Sequence, residues 1–533
     1  MTDKLKPVVL AVTSALTLAI CQPAAATSPD RFPAPASDPS IWYAKGQKEV
    51  VDAKKLARNN RQAKNVIFFI GDGMGVSTVT AARILEGQQP GIINPANNRA
   101  GSSGEENSLS FERFPYLALS KTYSVNQQTS DSAPTMTAMV TGVKNNEGEL
   151  AVSQELPKGK TAADCNRSIE QYLLPTILEM AEDAGKKTGV VSTARITHAT
   201  PAANYSHTPN RDWESDADQP AVGCAIPDIA RQLVEFKHGD GIDFVMGGGR
   251  DRFLPNTLVD PEYPTKKGKR KDGRNLAEDW TKTYTDGAFV FNKGGFDAIN
   301  PDAANHVLGL FEPSHMQYEA DRDGSANGEP SLADMTEKAI RTLKNGKKGF
   351  YLHVEAGRVD HAHHAGNAYR ALTDAIALSD AVKRAVDTLT ELKQLDNTLI
   401  VVSADHSHVF TIGGYPERGN NILGKVMADS KIQLADDKKP YTTLTYANGP
   451  GFQENAPADG PVYTPVSGRV KDMTTVDTTD KDFHQETVVP LASETHAGED
   501  VAIYAMGPSA HLFHGTMEQN SIFHVMKNAF RFR

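Results

Sequence analysis

The sequence predicts an α/β fold: a three-layer α/β/α sandwich with a central, mostly parallel sheet and a small inserted crown subdomain. Two observations carry this expectation. Short apolar runs of strand length alternate with longer helical patterns along most of the chain, as in a parallel sheet covered by helices. Most of these runs then end in glycine, acid or histidine, and in such sheets ligands bind beyond the carboxyl ends of the strands.

The elements follow in order. Residues 1–26 read as a signal peptide: Lys4 and Lys6 precede an apolar stretch over 7–20, and Ala24, Ala25 and Ala26 offer a cleavage site. Cys21 raises a lipoprotein alternative, ranked lower because Ile20 before it is bulky. Residues 27–62 form an arm with an exposed helix between Trp42 and Leu56, of a kind that packs on a partner subunit. A catalytic domain is expected over 63–533. Its first strand, 66–70, ends at Gly71, Asp72 and Gly73, and a helix follows over 76–86. Further helical patterns cover 172–184, 225–236, 332–344 and 366–394. Strand 189–193 runs toward His198 and Thr200, and strand 242–246 ends at three glycines. Strand 350–354 ends at Glu355, and strand 398–402 leads to Asp405 and His406. Residues 413–490 are rich in Gly, Pro, Asp and Thr and read as the crown-like insertion, with a strand at 441–446; the last core strand is 501–505.

Composition narrows the function. With 39% hydrophobic and 23% charged residues, the 533-residue chain is ordinary for a globular protein with a large core. A formal net charge of −10 argues against nucleic-acid binding as such, and the basic run at 266–271 reads as a solvated loop. After the leader, no stretch of about 20 apolar residues suggests a membrane span, and no apolar tail precedes Arg533 to suggest a glycolipid anchor. Cys165 and Cys224 are an even pair in a chain expected to be exported, periplasmic or secreted, which suggests one disulfide.

The densest chemistry lies at 355–364, where Glu355, Arg358, Asp360, His361, His363 and His364 can ionise. Such groups between a core strand and a helix are costly to hold without partners. Asp360 and His364 stand four apart, on one helical face, and can grip one ion; the competing reading is a solvated helix start. Asp72 between glycines is either a helix cap or a ligand with close backbone approach. Asp405 and His406 leave a strand end together, and His496 precedes the last strand toward the same edge. Asp131 and Ser132 open a helix, where N–H groups favour phosphate and a serine oxygen can attack phosphorus. Arg211 suits phosphate through its planar fork, although a lone arginine is more often in a surface ion pair.

Taken in order, these motifs resemble the alkaline phosphatase family, the animal enzymes most of all. The resemblance covers about residues 42–525, and rests on Gly71 to Gly75, Asp131 and Ser132, His198 to Pro201, the 355–364 run, Ala404 to Phe410, and Glu494 to Asp500. It implies hydrolysis of phosphate monoesters, in two displacements, through a phosphoserine on Ser132, releasing inorganic phosphate. It implies one zinc held by Asp360, His364 and His496, a second by Asp72, Asp405 and His406, and a magnesium by Asp72, Thr200 and Glu355. Arg211 would bind phosphate oxygens, with Asp131, His198 and His361 in the surrounding shell; His363 is given no ion. The resemblance further implies a Cys165–Cys224 disulfide, a homodimer in which Tyr415 reaches the partner's site, and a calcium site at Glu262, the Phe311 carbonyl, Glu312 and Glu329. At the last of these the family usually has Asp. The rival activities are phosphodiester or sulfate ester hydrolysis and non-catalytic phosphate scavenging.

Overall fold

The computed structural model describes residues 39–89, 93–94, 99–100, 103–221, 223–451, 469 and 471–533; the leader expected at 1–26 lies outside them. Among the described residues, ten strands form the main sheet: β1 (Asn65–Gly71), β2 (Tyr116–Lys121), β3 (Lys187–Arg195), β4 (Phe244–Gly248), β5 (Ala288–Val290), β6 (Val307–Leu310), β7 (Phe350–Ala356), β8 (Thr398–Ala404), β9 (Val501–Met506) and β10 (Thr516–Glu518). Their order is β10-β2-β9-β8-β1-β7-β3-β4-β6-β5. Neighbours run parallel throughout, except that β9 is antiparallel to both β8 and β2.

The central strand shows why the chain builds three layers. Successive side chains on a strand point to opposite faces. In β1, Val66, Phe68 and Ile70 enter one core, while Ile67 and Phe69 enter the other, and none is solvent-exposed. Burying each is worth ~1.5–3 kcal/mol, so β1 is held from both sides. Helices Val76–Gln88, Leu332–Leu343 and Ala368–Glu391 cover the first face. Helices Ser132–Thr141, Ile177–Asp183, Ile229–Val234 and Ser521–Phe530 cover the second.

Several elements differ from the sequence expectations, each for a local reason. The helix expected at 172–184 starts at Ile177, where Thr176 caps it and Pro175 precedes the cap. The long pattern at 366–394 is Ala368–Glu391, capped by Asn367. The expected strand at 441–446 lies at Leu444–Gly449, between Phe410–Ile412 and Thr487–Pro490 in a separate three-stranded sheet. The arm's helix is Pro39–Ala53 and buries none of its residues.

The reversal of β9 matters for function. The carboxyl ends of β1, β3, β7 and β8 share one edge of the sheet. Because β9 runs the other way, its amino end reaches that same edge, and His496 lies just before it.

Candidate active site

Four parallel strands and one reversed strand deliver their polar residues to this edge. Asp72 follows β1, and Gly73 after it has φ +66, a conformation glycine adopts freely. That turn lets the Gly73 N–H donate to Asp405 Oδ1 at 3.0 Å, and a Cβ there would collide with His408 Nε2. Helix Arg358–His364 follows β7 and carries Asp360 and His364 one turn apart. Thr200 comes from the short helix after β3.

Three groups of donors result. In the first, His364 Nε2 and His496 Nε2 lie 3.5 and 3.3 Å from Asp360 Oδ1, and 3.1 Å from each other. In the second, His406 Nε2 lies 3.4 Å from Asp72 Oδ1 and 3.3 Å from Asp405 Oδ2. Four ligands about 2.0 Å from a tetrahedral zinc stand ~3.3 Å apart, so both sets match that spacing. The third gathers Asp72, His198 and Glu355, with Thr200 Oγ1 donating to Asp72 Oδ2 at 3.2 Å and Ser192 Oγ donating to Glu355. Asp72 thus turns one oxygen to the second group and the other to the third.

The electrostatics ask for cations. Burial pushes Asp72 well above the usual carboxylate range, and Asp405, Asp360 and Glu355 repel it further. Burial also raises Asp405 and lifts Glu355 to about 8, although Ser192 opposes the latter shift. Asp360 goes the other way: burial is outweighed by His364, His408 and His496, which hold it well below its ordinary value. Glu355 Oε1 and His406 Nδ1 are buried without hydrogen-bond partners. His496 Nδ1 faces the Ser130 carbonyl at 2.8 Å. A carbonyl only accepts, so Nδ1 carries the proton and Nε2 keeps its lone pair for an ion.

Ser132 heads helix Ser132–Thr141, with Asp131 as the cap. Its Oγ lies 3.1 Å from His406 Nε2 and 3.4 Å from Asp72 Oδ1. Arg211 Nη1 donates to Asp131 Oδ2 at 2.9 Å and Nη2 to His198 Nε2 at 3.0 Å. The loop bearing Arg211 adjoins the Cys165–Cys224 disulfide, which packs with Trp213 and Ile226.

His361 stands outside the donor groups, 3.2 Å from Arg358 Nη1 through Nδ1. His363 spends both nitrogens on Thr78 and Tyr446. The calcium expectation finds weaker geometry. Glu262 pairs with the buried Arg250 at 2.8 Å, Glu312 accepts from Tyr263 Oη at 2.7 Å, and Phe311 is buried in the core. Glu329 Oε2 is buried without a partner, and burial lifts that carboxyl to about 8. Among the described residues, these carboxylates form no donor group with atoms within 4.8 Å of one another.

Three neighbours escaped sequence reasoning. His408 Nε2 lies 2.9 Å from Asp360 Oδ1, and its Nδ1 meets Glu494 Oε2. Burial pulls this imidazole down, but Glu494 and Asp360 prevail and hold it up to about 9. His315 packs 4.0 Å from the His361 ring. His408 had a visible signal: it stands two residues after His406, near the same strand end.

A serine at a helix N-terminus, facing paired carboxylate–imidazole groups and an arginine, belongs to phosphoryl-transfer chemistry, and the class is the phosphatases. Within it, the chain belongs to the alkaline phosphatase family: the sequence model for that family, described as alkaline phosphatase, matches residues 63–532. An alkaline phosphatase of Gadus morhua is 43% identical over 506 residues, 93% of this chain and 98% of that one. The tissue-nonspecific isozyme of Gallus gallus is 44% identical over 501 residues, 92% of this chain and 89% of that one. Among solved structures, the alkaline phosphatase of Thermus thermophilus superposes with a TM-score of 0.58 at 23% identity, covering 90% of this chain and 94% of that one. The enzyme from the Antarctic bacterium TAB5 gives 0.57 at 20% identity, covering 89% and 99%. These two likenesses carry the fold alone.

Proposed function

We propose that the protein hydrolyses phosphate monoesters to alcohol and inorganic phosphate through a phosphoserine on Ser132. The observation that carries this reading is the placement of Ser132 Oγ, buried at a helix N-terminus within 3.4 Å of both His406 and Asp72. Helix N–H groups and dipole favour the incoming phosphate there, and Arg211 spans its oxygens with two parallel N–H donors. Asp131 and His198 fix the plane of that guanidinium. Ser132 Oγ then takes the phosphoryl group as the ester P–O bond breaks and the alcohol leaves. Water hydrolyses the phosphoserine in the second displacement, and Arg211 continues to hold the oxygens.

The donor sets fit two zincs, at Asp360, His364 and His496 and at Asp72, Asp405 and His406, and one magnesium at Asp72, Thr200 and Glu355. When bound, these ions supply Lewis acidity and lower the pKa of the oxygens they hold. They also neutralise carboxylates that burial otherwise forces to take up protons. The calcium donors fit poorly, since Arg250 and Tyr263 already engage Glu262 and Glu312. No step depends on them.

The decisive experiment is trapping at low pH with labelled phosphate. Wild-type protein is expected to carry label on Ser132; Ser132→Ala is expected to bind phosphate without forming an adduct. Label retained by the variant would reassign the nucleophile. Faster turnover of a diester or sulfate ester than of an aryl monoester would sink the monoesterase reading.

We infer further that the protein is an exported homodimer. Ile41, Trp42, Tyr43, Val50 and Val51 lie exposed on the unburied arm helix, and Tyr415 is 99% exposed; apolar surface of this kind is suited to a second copy. The disulfide fits an oxidising compartment. No helix of the described residues is long and apolar enough to cross a membrane. Light scattering giving a monomer mass, or recovery of the protein only from the cytoplasm with its leader intact, would count against this.

A further inference from the structure

We propose that Glu494 is the positioning residue for the zinc site of Asp360, His364 and His496; the inference rests on the metal assignment above. Glu494 is 1% exposed, and four of its polar atoms are committed. Its backbone N–H donates to the His364 carbonyl at 2.9 Å. Its own carbonyl accepts from His364 Nδ1 at 2.6 Å. Oε1 accepts from the Val409 N–H at 2.7 Å, and Oε2 from His408 Nδ1 at 2.5 Å.

Two arms therefore run from this residue to two ligands. Along the first, the carbonyl oxygen can only accept, which places the His364 proton on Nδ1. The Nε2 lone pair then faces Asp360 and His496, at 3.5 and 3.1 Å. Along the second, His408 lies between two carboxylates that accept hydrogen bonds. Its Nδ1 lies 2.5 Å from Glu494 Oε2, and its Nε2 lies 2.9 Å from Asp360 Oδ1. The carboxylate–imidazole–carboxylate chain fixes the rotation of Asp360. Such outer partners set tautomer and orientation for metal ligands, and losing one costs about 10–100-fold in metal affinity. The Asp72, Asp405 and His406 set receives none of these contacts. Glu494 stands two residues before His496, so one short segment supplies a ligand and aligns the other two.

The selectivity makes the proposal testable. Glu494→Gln keeps the backbone arm and removes the charged one; Glu494→Ala removes the whole side chain. Zinc release from the holoenzyme to a chromogenic chelator is measured for both variants and for the parent. One of the two zincs is expected to leave about 10–100-fold faster, with the other leaving at the parent rate. Release of both at the parent rate overturns the proposal. So does parallel acceleration of both, which marks general loosening of the fold. If Glu494→Ala fails to fold, Glu494→Gln gives the same readout alone. A parent protein that holds no zinc pair overturns the metal assignment itself, and that failure is visible before any variant is made.

Discussion

Removing the Cys165–Cys224 bridge tests whether a small covalent module holds Arg211 in place. The bonded cysteines are 59 residues apart. Closing a loop removes chain entropy from the unfolded state, worth about 3 kcal/mol for 15 residues and about 4.7 for 100, so about 4 kcal/mol here. In the native state the effect is local. Cys165, Trp213, Cys224 and Ile226 form a cluster apart from the two main cores, and the Trp213 N–H donates to the Asn210 carbonyl across Arg211. The Cys165→Ala/Cys224→Ala variant is expected to lose about 4 kcal/mol of stability in guanidinium unfolding followed by tryptophan fluorescence. Its KM for an aryl phosphate is expected to rise about fivefold, equivalent to ~1 kcal/mol of lost preorganisation. An unchanged unfolding midpoint would refute the entropy argument. Lost stability with an unchanged KM would refute the coupling between the bridge and Arg211.

Other outcomes follow from individual contacts. His207 donates through Nδ1 to the Ala151 carbonyl and through Nε2 to Glu179, both at distances below 3 Å. Burial opposes its charge, but Glu179 prevails and raises it above 6.5. Its stabilising contribution is therefore fully present below about pH 6.5 and lost as pH rises through the folded value. His207→Gln should cost about 3 kcal/mol at pH 6, by urea unfolding, and distinctly less at pH 9.5; an equal loss at both would contradict the charged pair. Arg211→Lys loses the two-pronged donor and should weaken inhibition by inorganic phosphate by about 1.5–3 kcal/mol, where an unchanged inhibition constant would remove Arg211 from the phosphate site. Chelation should abolish turnover and lower the melting temperature, and zinc with magnesium together should restore both. Full activity after exhaustive chelation would end the metal assignment.

Much of the site was legible because its residues stand where strands stop. The 66–70 run pointed to Asp72, the 350–354 run to Glu355, and the 398–402 run to Asp405 and His406. A strand buried on both faces leaves an apolar run that composition cannot hide. The less legible strands lack that contrast: β5, β6 and β10 span only three or four residues. In β2, Leu117 and Leu119 are exposed, so its alternation is masked by apolar residues on the open side. His408 and Glu494 were read only as parts of motifs, because their importance lies in whom they touch, and sequence spacing does not report a hydrogen bond across 86 residues. The acids at 262, 312 and 329 suited a cation by type, and sequence spacing did not show that Arg250 and Tyr263 contact two of them.

The reversed strand has a consequence for the order in which the enzyme comes into being. His496 meets the Ser130 carbonyl 366 residues away along the chain, and β9 must slot between β8 and β2 to bring it there. Until that strand docks, the sheet is two unjoined parts, and His496 is missing from the candidate site it shares with Asp360 and His364. Loop closure over such a span is slow compared with local helix and hairpin formation. The nascent chain therefore lacks a complete candidate site until β9, near its C-terminal end, has been made and has docked.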